Sequence, residues 1–347
     1  MSETKKGKGY YAYLPSIDTL RFFAFLLILA NHTKLNLALN GHTFFFTLTG
    51  FLISYISISE IKKNNHFNFR RYLARRFLRT LPLLFLIVAL SFSLKIILEN
   101  FFGKSITTGE LWPFLLLIQN FFTLDIIFPL SNLWAMGVTE QYYLVFGILF
   151  FLVYPRWKWF GILFITIGLI INNTSDFLSN YNNYGYPWNF LVNFGIGNLL
   201  ASICLENKKM FNRLIYINKS GTVIYLFGAC ILLIIGFSVS NKYISPFNGC
   251  ILSSGYALII FNVAFAIHRP TIITNIKWFQ YLGKRTLGMY CWHAPVITIL
   301  EKMAGHYNIN YTPLFMFITT LVLVIPISIL SYRYYESYFL RFKRRFN

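Results

Sequence analysis

The chain has 347 residues, 56% apolar, 20% aromatic and only 12% charged, and 31 basic against 11 acidic residues give a formal charge of +20. Soluble domains carry about twice that charged fraction, so an ordinary soluble enzyme is excluded and lipid must cover much of the surface. Nor does the charge imply nucleic acid, because the bases sit in short clusters between apolar runs, as cytoplasmic segments near anionic lipid do.

In chain order the apolar segments are Leu20–Leu39, Thr43–Ser59, Leu81–Leu98, Leu111–Phe128, Leu133–Tyr154, Trp157–Ile171, Pro187–Leu205, Thr222–Ser240, Gly249–Ile267, Arg285–Lys302 and Pro313–Tyr332. Most approach the roughly 20 residues a helix needs to cross a bilayer. The N-terminus, 1–13, is polar and basic (Lys5, Lys6, Lys8), and no small-residue cleavage site follows the first apolar run, so that run is expected to stay as the first helix. The segment 60–80 holds seven Lys or Arg between Lys62 and Arg79 and no acid there, and is expected to be a cytoplasmic loop. Lys208, Lys209, Arg213 and Lys219 mark another inside loop, and Arg269, Lys277, Lys284 and Arg285 a third. The tail, 335–347, is expected inside by Arg341, Lys343, Arg344 and Arg345, while Asn172–Tyr186, polar without a base, is expected outside.

These sides agree only for an even number of crossings. Leu111–Phe128, which contains Pro113, Gln119, Asn120 and Asp125, is therefore read as re-entrant or interfacial. About ten crossings remain, with both termini cytoplasmic, and of the 31 bases only Lys34, Lys95, Lys104, Lys242 and Lys302 lie toward the outside. The expected fold is all-α: one polytopic transmembrane helix bundle spanning 1–347, with no separate soluble domain. The four cysteines (Cys204, Cys230, Cys250, Cys291) form no CxxC pair, so neither zinc nor a disulfide framework is indicated, and no phosphate-cradling Gly-rich loop is present. No metal is expected. Abundant Asn, Lys, Ile and Phe fit a bacterial cell membrane as the location.

A titratable group inside an apolar span costs a few kcal/mol, so each invites a functional reading. Asp18 and Arg21 open the first segment, and His32 follows Arg21 by eleven residues, about 16 Å along a helix and on the same face. That spacing sets His32 near the bilayer middle, either as a general base or as an imidazole hydrogen-bonded for packing. Between Arg70 and Arg79 five of ten residues are arginine. Positive charge alone would fix orientation with lysine, whereas planar guanidinium groups at Arg71, Arg75, Arg76 and Arg79 suit phosphate. Glu140, beside Trp134, Gln141 and Tyr143, is read either as a contact for a hydroxyl substrate or as half of an interhelical ion pair. His293, in Tyr290-Cys-Trp-His-Ala-Pro295, is a second deep imidazole, for substrate contact or for packing.

Taken together these segments resemble the acyltransferase-3 family. Ile17-Asp18-Thr19-Leu20-Arg21 with His32 resembles its opening motif of an Arg, ten residues and a His. Phe45-Phe46-Thr47-Leu48-Thr49-Gly50-Phe51-Leu52-Ile53 is similar to its FFxxSGFLI helix, and Tyr72-Leu-Ala-Arg75-Arg76-Phe-Leu-Arg79-Thr-Leu-Pro82 to YxxRRxxRxxP. Asn132-Leu-Trp134 through Glu140-Gln141-Tyr142-Tyr143 resembles HLWSLxxEEQFY, with Asn132 for His, Ala135 for Ser and Thr139 for Glu. Tyr290-Cys-Trp292-His293 and Ser331-Tyr-Arg333-Tyr-Tyr-Glu336 resemble its closing YxWH and SYRxxE segments.

The resemblance implies transfer of an acyl group, most often acetyl, from cytosolic acyl-CoA to a hydroxyl of a glycan or lipid-linked glycan. In that reading acetyl-CoA is donor and co-substrate. Arg71, Arg75, Arg76 and Arg79 hold its phosphates, and His32 is general base or acetyl carrier. Arg21, oriented by Asp18, serves the CoA arm or the thioester oxygen, while Glu140, Trp134, Tyr143, Tyr290 and His293 serve the acceptor. Many members carry a fused extracytoplasmic SGNH domain; a chain without one is expected to act alone or with a separate extracytoplasmic partner. The competing class is a transporter or flippase of a lipid-linked glycan, against which stands the lack of an internal repeat.

Overall fold

A computed structural model describes residues 13–35, 40–102, 110–122, 130–153, 156–174, 185–216, 219–238, 247–267 and 275–343. Among these residues there is no strand, and ten helices of 15 residues or more carry the fold: α1 Pro15–His32, α2 Gly41–Asn64, α3 Phe69–Phe102, α4 Trp134–Val153, α5 Phe160–Thr174, α6 Leu191–Glu206, α7 Lys219–Ser238, α8 Asn248–Phe265, α9 Thr286–His306 and α10 Pro313–Ser331. Each overlaps one of the apolar segments of the sequence. Local chemistry sets several of their ends. The Asn40 side chain accepts from the backbone N–H of His42 and Thr43 to open α2, which closes at Asn65 in the left-handed region, φ 58°. The Thr312 hydroxyl likewise caps α10 by accepting from the Phe315 N–H.

Six stretches are each long and apolar enough to cross a membrane (41–64, 69–97, 131–153, 187–206, 248–265 and 313–342), and a seventh arises if 208–215 and 220–236, bent by 101°, count as one. The chain is therefore multi-pass by length and composition, while α1 and α9 hold the polar groups that interrupt their apolar character. The segment 111–122 is not a continuous helix. A single turn, Trp112–Leu115, is followed by left-handed Leu117 (φ 60°) and a second short turn, Gln119–Phe122. This break agrees with a segment that does not cross, over its described part; Asp125 lies outside the described residues, as do Lys5, Lys6, Lys8, Lys104, Lys242, Arg269, Arg344, Arg345 and most of Asn172–Tyr186.

Two expectations are corrected. The segment 60–80 is not a loop, because α2 runs to Asn64 and α3 begins at Phe69, which makes the arginine run the first turns of a 34-residue helix. His32 does not lie mid-helix within a span to Leu39. It is the last residue of α1, because the Thr33 hydroxyl bonds back to the Leu29 and Ala30 carbonyls and Lys34 turns left-handed at φ 59°.

Helix contacts around the site depend on glycine. A Cβ on Gly197 of α6 would stand 2.2 Å from the Thr47 carbonyl oxygen of α2, and one on Gly50 would stand 2.4 Å from the Phe194 carbonyl oxygen. The two backbones therefore touch, which small residues permit in membrane bundles. Beside them the rings of Tyr142 and Phe194 stack at 3.9 Å. A Cβ on Gly283, at the end of the short helix Lys277–Gly283, would lie 1.9 Å from the Asp18 carbonyl oxygen, so this glycine seats the start of α1.

Gly197→Val should destabilise the folded protein by at least about 1–3 kcal/mol, the usual cost of overpacking, whereas Gly228→Val, where a Cβ would meet nothing within 4 Å, should not. Thermal unfolding of the two detergent-purified variants is the check, and equal midpoints would refute the α2–α6 contact.

Candidate functional site

Polar side chains from α1, α3, α4 and α9 converge at two levels of the bundle. The first is a narrow cavity of about 80 Å³ whose lining includes Arg21, Arg76, Arg79, Glu140, Tyr143 and Tyr290. At roughly 10–15 Å³ for one water, such a space holds several waters or a thin chain. Apolar side chains of α2 (Phe45, Leu48, Leu52, Ile53) close one wall, and Met136 and Leu287 lie on others.

Arg21 reaches this cavity from the first turns of α1. Its Nη1 donates to Asp18 Oδ1 at 2.8 Å, and the Tyr13 hydroxyl donates to the other Asp18 oxygen. Asp18 is 2% exposed, so the pair is enclosed and its geometry fixed. The arginine run of α3 divides by helical phase. Arg76 and Arg79, three residues apart, face the cavity with Thr80, while Arg71 and Arg75 do not line it. Arg75 is engaged in an ion pair with Glu60 of α2, and Arg71 is half-buried at the first turn. Arg76 is buried, with its guanidinium carbon 5.7 Å from the Tyr72 ring centre and 5.8 Å from that of Tyr143. The aromatic faces partly replace the water it has lost. Its Nε has no hydrogen-bond partner among the described residues.

Glu140, 2% exposed, enters from α4. Neither carboxylate oxygen has a hydrogen-bond partner of normal geometry among the described residues, and the neighbouring Thr80 hydroxyl donates to the Arg76 carbonyl at 3.1 Å. An acceptor buried without a donor costs about 1–3 kcal/mol, more when charged, and the positive charge of Arg76 on α3 offsets part of that cost.

The second level lies at the far end of α1. His32 closes that helix, His42 stands in the first turn of α2, and His293 projects from α9. The His32 ring centre is 5.0 Å from that of His293 and 6.0 Å from that of His42, whose ring lies 4.9 Å from that of Trp134. Arg21 and His32 are thus eleven residues, about 16 Å, apart along one helix, in two different groups. Two residues join the levels. Tyr290 lines the cavity while its ring stands 5.5 Å from His293, and Ala135, also in the lining, is the neighbour in sequence of Trp134. The Tyr290 hydroxyl donates to the Asn132 carbonyl, fixing that partition. Among the described residues no group of three or more His, Cys, Asp or Glu is arranged to hold a metal ion.

Of the residues singled out from the sequence, Arg21, Arg76, Arg79, Glu140, Tyr143 and Tyr290 share the cavity, with Asp18 behind Arg21. His32, His293 and Trp134 belong to the imidazole group, and Arg71 and Arg75 to neither. Sequence reasoning passed over His42. Its only signal was position, two residues after a capping Asn and ten after His32, which a helical hairpin would fold back onto it.

O-acetyltransferase OatA of Staphylococcus aureus is 27% identical over 350 residues, covering 94% of this chain and 57% of that protein. Peptidoglycan O-acetyltransferase OatA of Listeria monocytogenes is 26% identical over 352 residues, covering 94% of this chain and 55% of that protein. The chain thus spans somewhat over half the length of the curated relatives it matches. No solved structure matches it. The acyltransferase-3 profile, described as an acyltransferase domain, matches residues 14–333, and the chain belongs to that family.

Proposed function

We propose that the protein is a membrane O-acetyltransferase that takes an acetyl group from acetyl-CoA on the cytoplasmic side and delivers it to a hydroxyl of a cell-wall carbohydrate. The observation that carries this reading is the pairing of a narrow, arginine-lined cavity with an imidazole group just beyond its Tyr290–Ala135 partition. The names of the relatives, O-acetyltransferase and peptidoglycan O-acetyltransferase, support the choice of acetyl and of a cell-wall glycan. Ten crossings with cytoplasmic termini in a bacterial cell membrane remain the preferred topology, since each of the ten long helices matches an apolar segment.

Coenzyme A presents phosphates at one end and a thin pantetheine arm at the other. Arg76 and Arg79 supply fixed positive charge for the phosphates, with Arg71 at the start of α3 as an outer contact. Arg21, held by Asp18, lies beside the arm. Planar guanidinium groups suit this task because they donate two hydrogen bonds to one phosphate. The arm would thread the cavity and bring the thioester toward His32, while the glycan arrives at His32 from the opposite end.

The chemistry balances with one base. His32 takes the proton of the acceptor hydroxyl as the oxygen attacks the thioester carbon; the new C–O bond forms, the C–S bond breaks, and His32 returns the proton to the departing thiolate. Glu140, within the same cavity, orients groups through its unpartnered oxygens.

Three results would test this reading. Purified protein given acetyl-labelled acetyl-CoA and peptidoglycan glycan strands should release CoA and label the strands. His32→Ala should lower that transfer roughly 10²–10⁴-fold, the usual worth of a general base, with acetyl-CoA binding kept. Full transfer by a correctly inserted His32→Ala protein would refute the base. Arg79→Ala should instead weaken acetyl-CoA binding by about 10- to 100-fold, the worth of a charge-assisted contact of ~1.5–3 kcal/mol. Calorimetry on the detergent-solubilised variant reads this directly, and an unchanged Kd would remove α3 from the donor site.

A further inference from the structure

The imidazole group contains more than the base that the proposed reaction uses. His293 is fully enclosed, at 0% exposure. Its Nδ1 lies 2.5 Å from the Tyr290 carbonyl oxygen, and a carbonyl only accepts, so Nδ1 carries the hydrogen. In the neutral ring this leaves Nε2 as a bare lone pair. Among the described residues that buried Nε2 has no hydrogen-bond partner, and the His32 ring stands 5.0 Å from the His293 ring, centre to centre. A nitrogen made acceptor-only by its own backbone, enclosed and left without a donor, is poised for a donor that its neighbour supplies.

We propose that His293 is the positioning residue of His32: its Nε2 accepts the hydrogen bond of one His32 ring N–H and so turns the other His32 nitrogen, unprotonated, toward the acceptor hydroxyl. The inference rests on the reading of His32 as general base. It gives His293 the place that a buried carboxylate has behind the histidine of a serine hydrolase, orienting the ring and fixing its tautomer. A neutral imidazole does this without a second buried charge, which apolar surroundings would penalise. During transfer the hydroxyl proton moves to His32, whose N–H bond to His293 strengthens as the ring becomes cationic. The proton then leaves for the thiolate, and His293 never takes it. The ring neighbours are suited to holding rather than reacting: Phe25 stands 6.0 Å from His293 edge-on and Tyr290 5.5 Å away.

The test uses the full chain in detergent, with acetyl-CoA and peptidoglycan glycan strands as probes. His293→Leu removes the acceptor; His293→Gln returns a carbonyl oxygen near the Nε2 position. Leu should lower kcat roughly 10²–10⁴-fold with KM for acetyl-CoA unchanged, and Gln should restore a large part of kcat. A purely structural role would instead depress yield and thermal midpoint in both variants and move kcat and KM together. Independently of activity, ¹⁵N-histidine NMR of the unmodified protein should show one histidine with Nδ1 protonated and Nε2 bare, a signal absent from His293→Gln. An Nε2-protonated His293, or kcat intact in His293→Leu, overturns the proposal. Unmodified protein that turns over no acetyl-CoA while showing the expected tautomer would overturn the acetyltransfer reading itself, and the positioning role with it.

Discussion

A cation or carboxylate enclosed by apolar helices loses its hydration, and every polar group in this bundle answers to that cost. Arg21 is matched by Asp18, and Arg75 by Glu60. Arg76 lies against two tyrosine rings. Arg285, at the start of α9, has its guanidinium carbon 3.4 Å from the Tyr281 ring centre and 4.6 Å from that of Tyr332. Buried polar atoms without a hydrogen-bond partner among the described residues occur in several parts of the bundle, Ser57 and Thr320 among them, and some of them fall at the site. Glu140, His293 and His42 each bury at least one atom with no hydrogen-bond partner among the described residues, and all three stand in or beside the cavity.

Holding those groups requires helices that do not drift, and glycine supplies the means. Gly50 and Gly197 bring α2 against α6, fixing the wall that Phe45, Leu48 and Leu52 present to the cavity. Gly283 lets the Asp18 carbonyl settle on the end of the short helix before α9, which sets the position of Arg21. The chain after α10 adds a further clasp: a wide turn, Tyr332–Glu336, places the Tyr335 hydroxyl 3.0 Å from the Pro82 carbonyl oxygen of α3. Such π-type turns are common near functional sites because they shift the register of one face. Here the shift lets the tail grip the helix that carries Arg76 and Arg79.

Much of this was legible in the sequence. Ten apolar segments became ten helices because a 20-residue apolar run has few other ways to satisfy its backbone in lipid. The polar break at Leu111–Phe128 was equally visible, since Pro113 and the amides after it do not sustain an apolar helix. Spacing found Arg21, Arg76, Arg79 and Glu140 because charge in an apolar run is conspicuous. What spacing could not find was phase and termination. Nothing in Arg71-to-Arg79 tells which pair faces inward; that follows from how α3 rotates against α4. The early end of α1 at His32 depends on a hydroxyl of Thr33 turning back on its own helix, a local competition invisible to hydropathy. His42 escaped notice because a lone histidine beside three phenylalanines has meaning only once a hairpin brings it to His32.

The proposed reaction gives the two-level layout a reason. In it, a thioester donor confined to one side and a polymer acceptor confined to the other meet within the barrier between them. In that reading the cavity of about 80 Å³ takes the thin donor arm, which carries the acetyl group to the acceptor. Enclosure by the helices would, in the same reading, also shield the thioester from hydrolysis. The arginines of the cavity then serve the phosphates, and the imidazole group at the far end of α1 serves as the base. Phosphate needs permanent charge, whereas a base that must give its proton back needs a group that is comfortable without one. The separation of Arg21 from His32 along a single helix is the distance over which that exchange of requirements takes place.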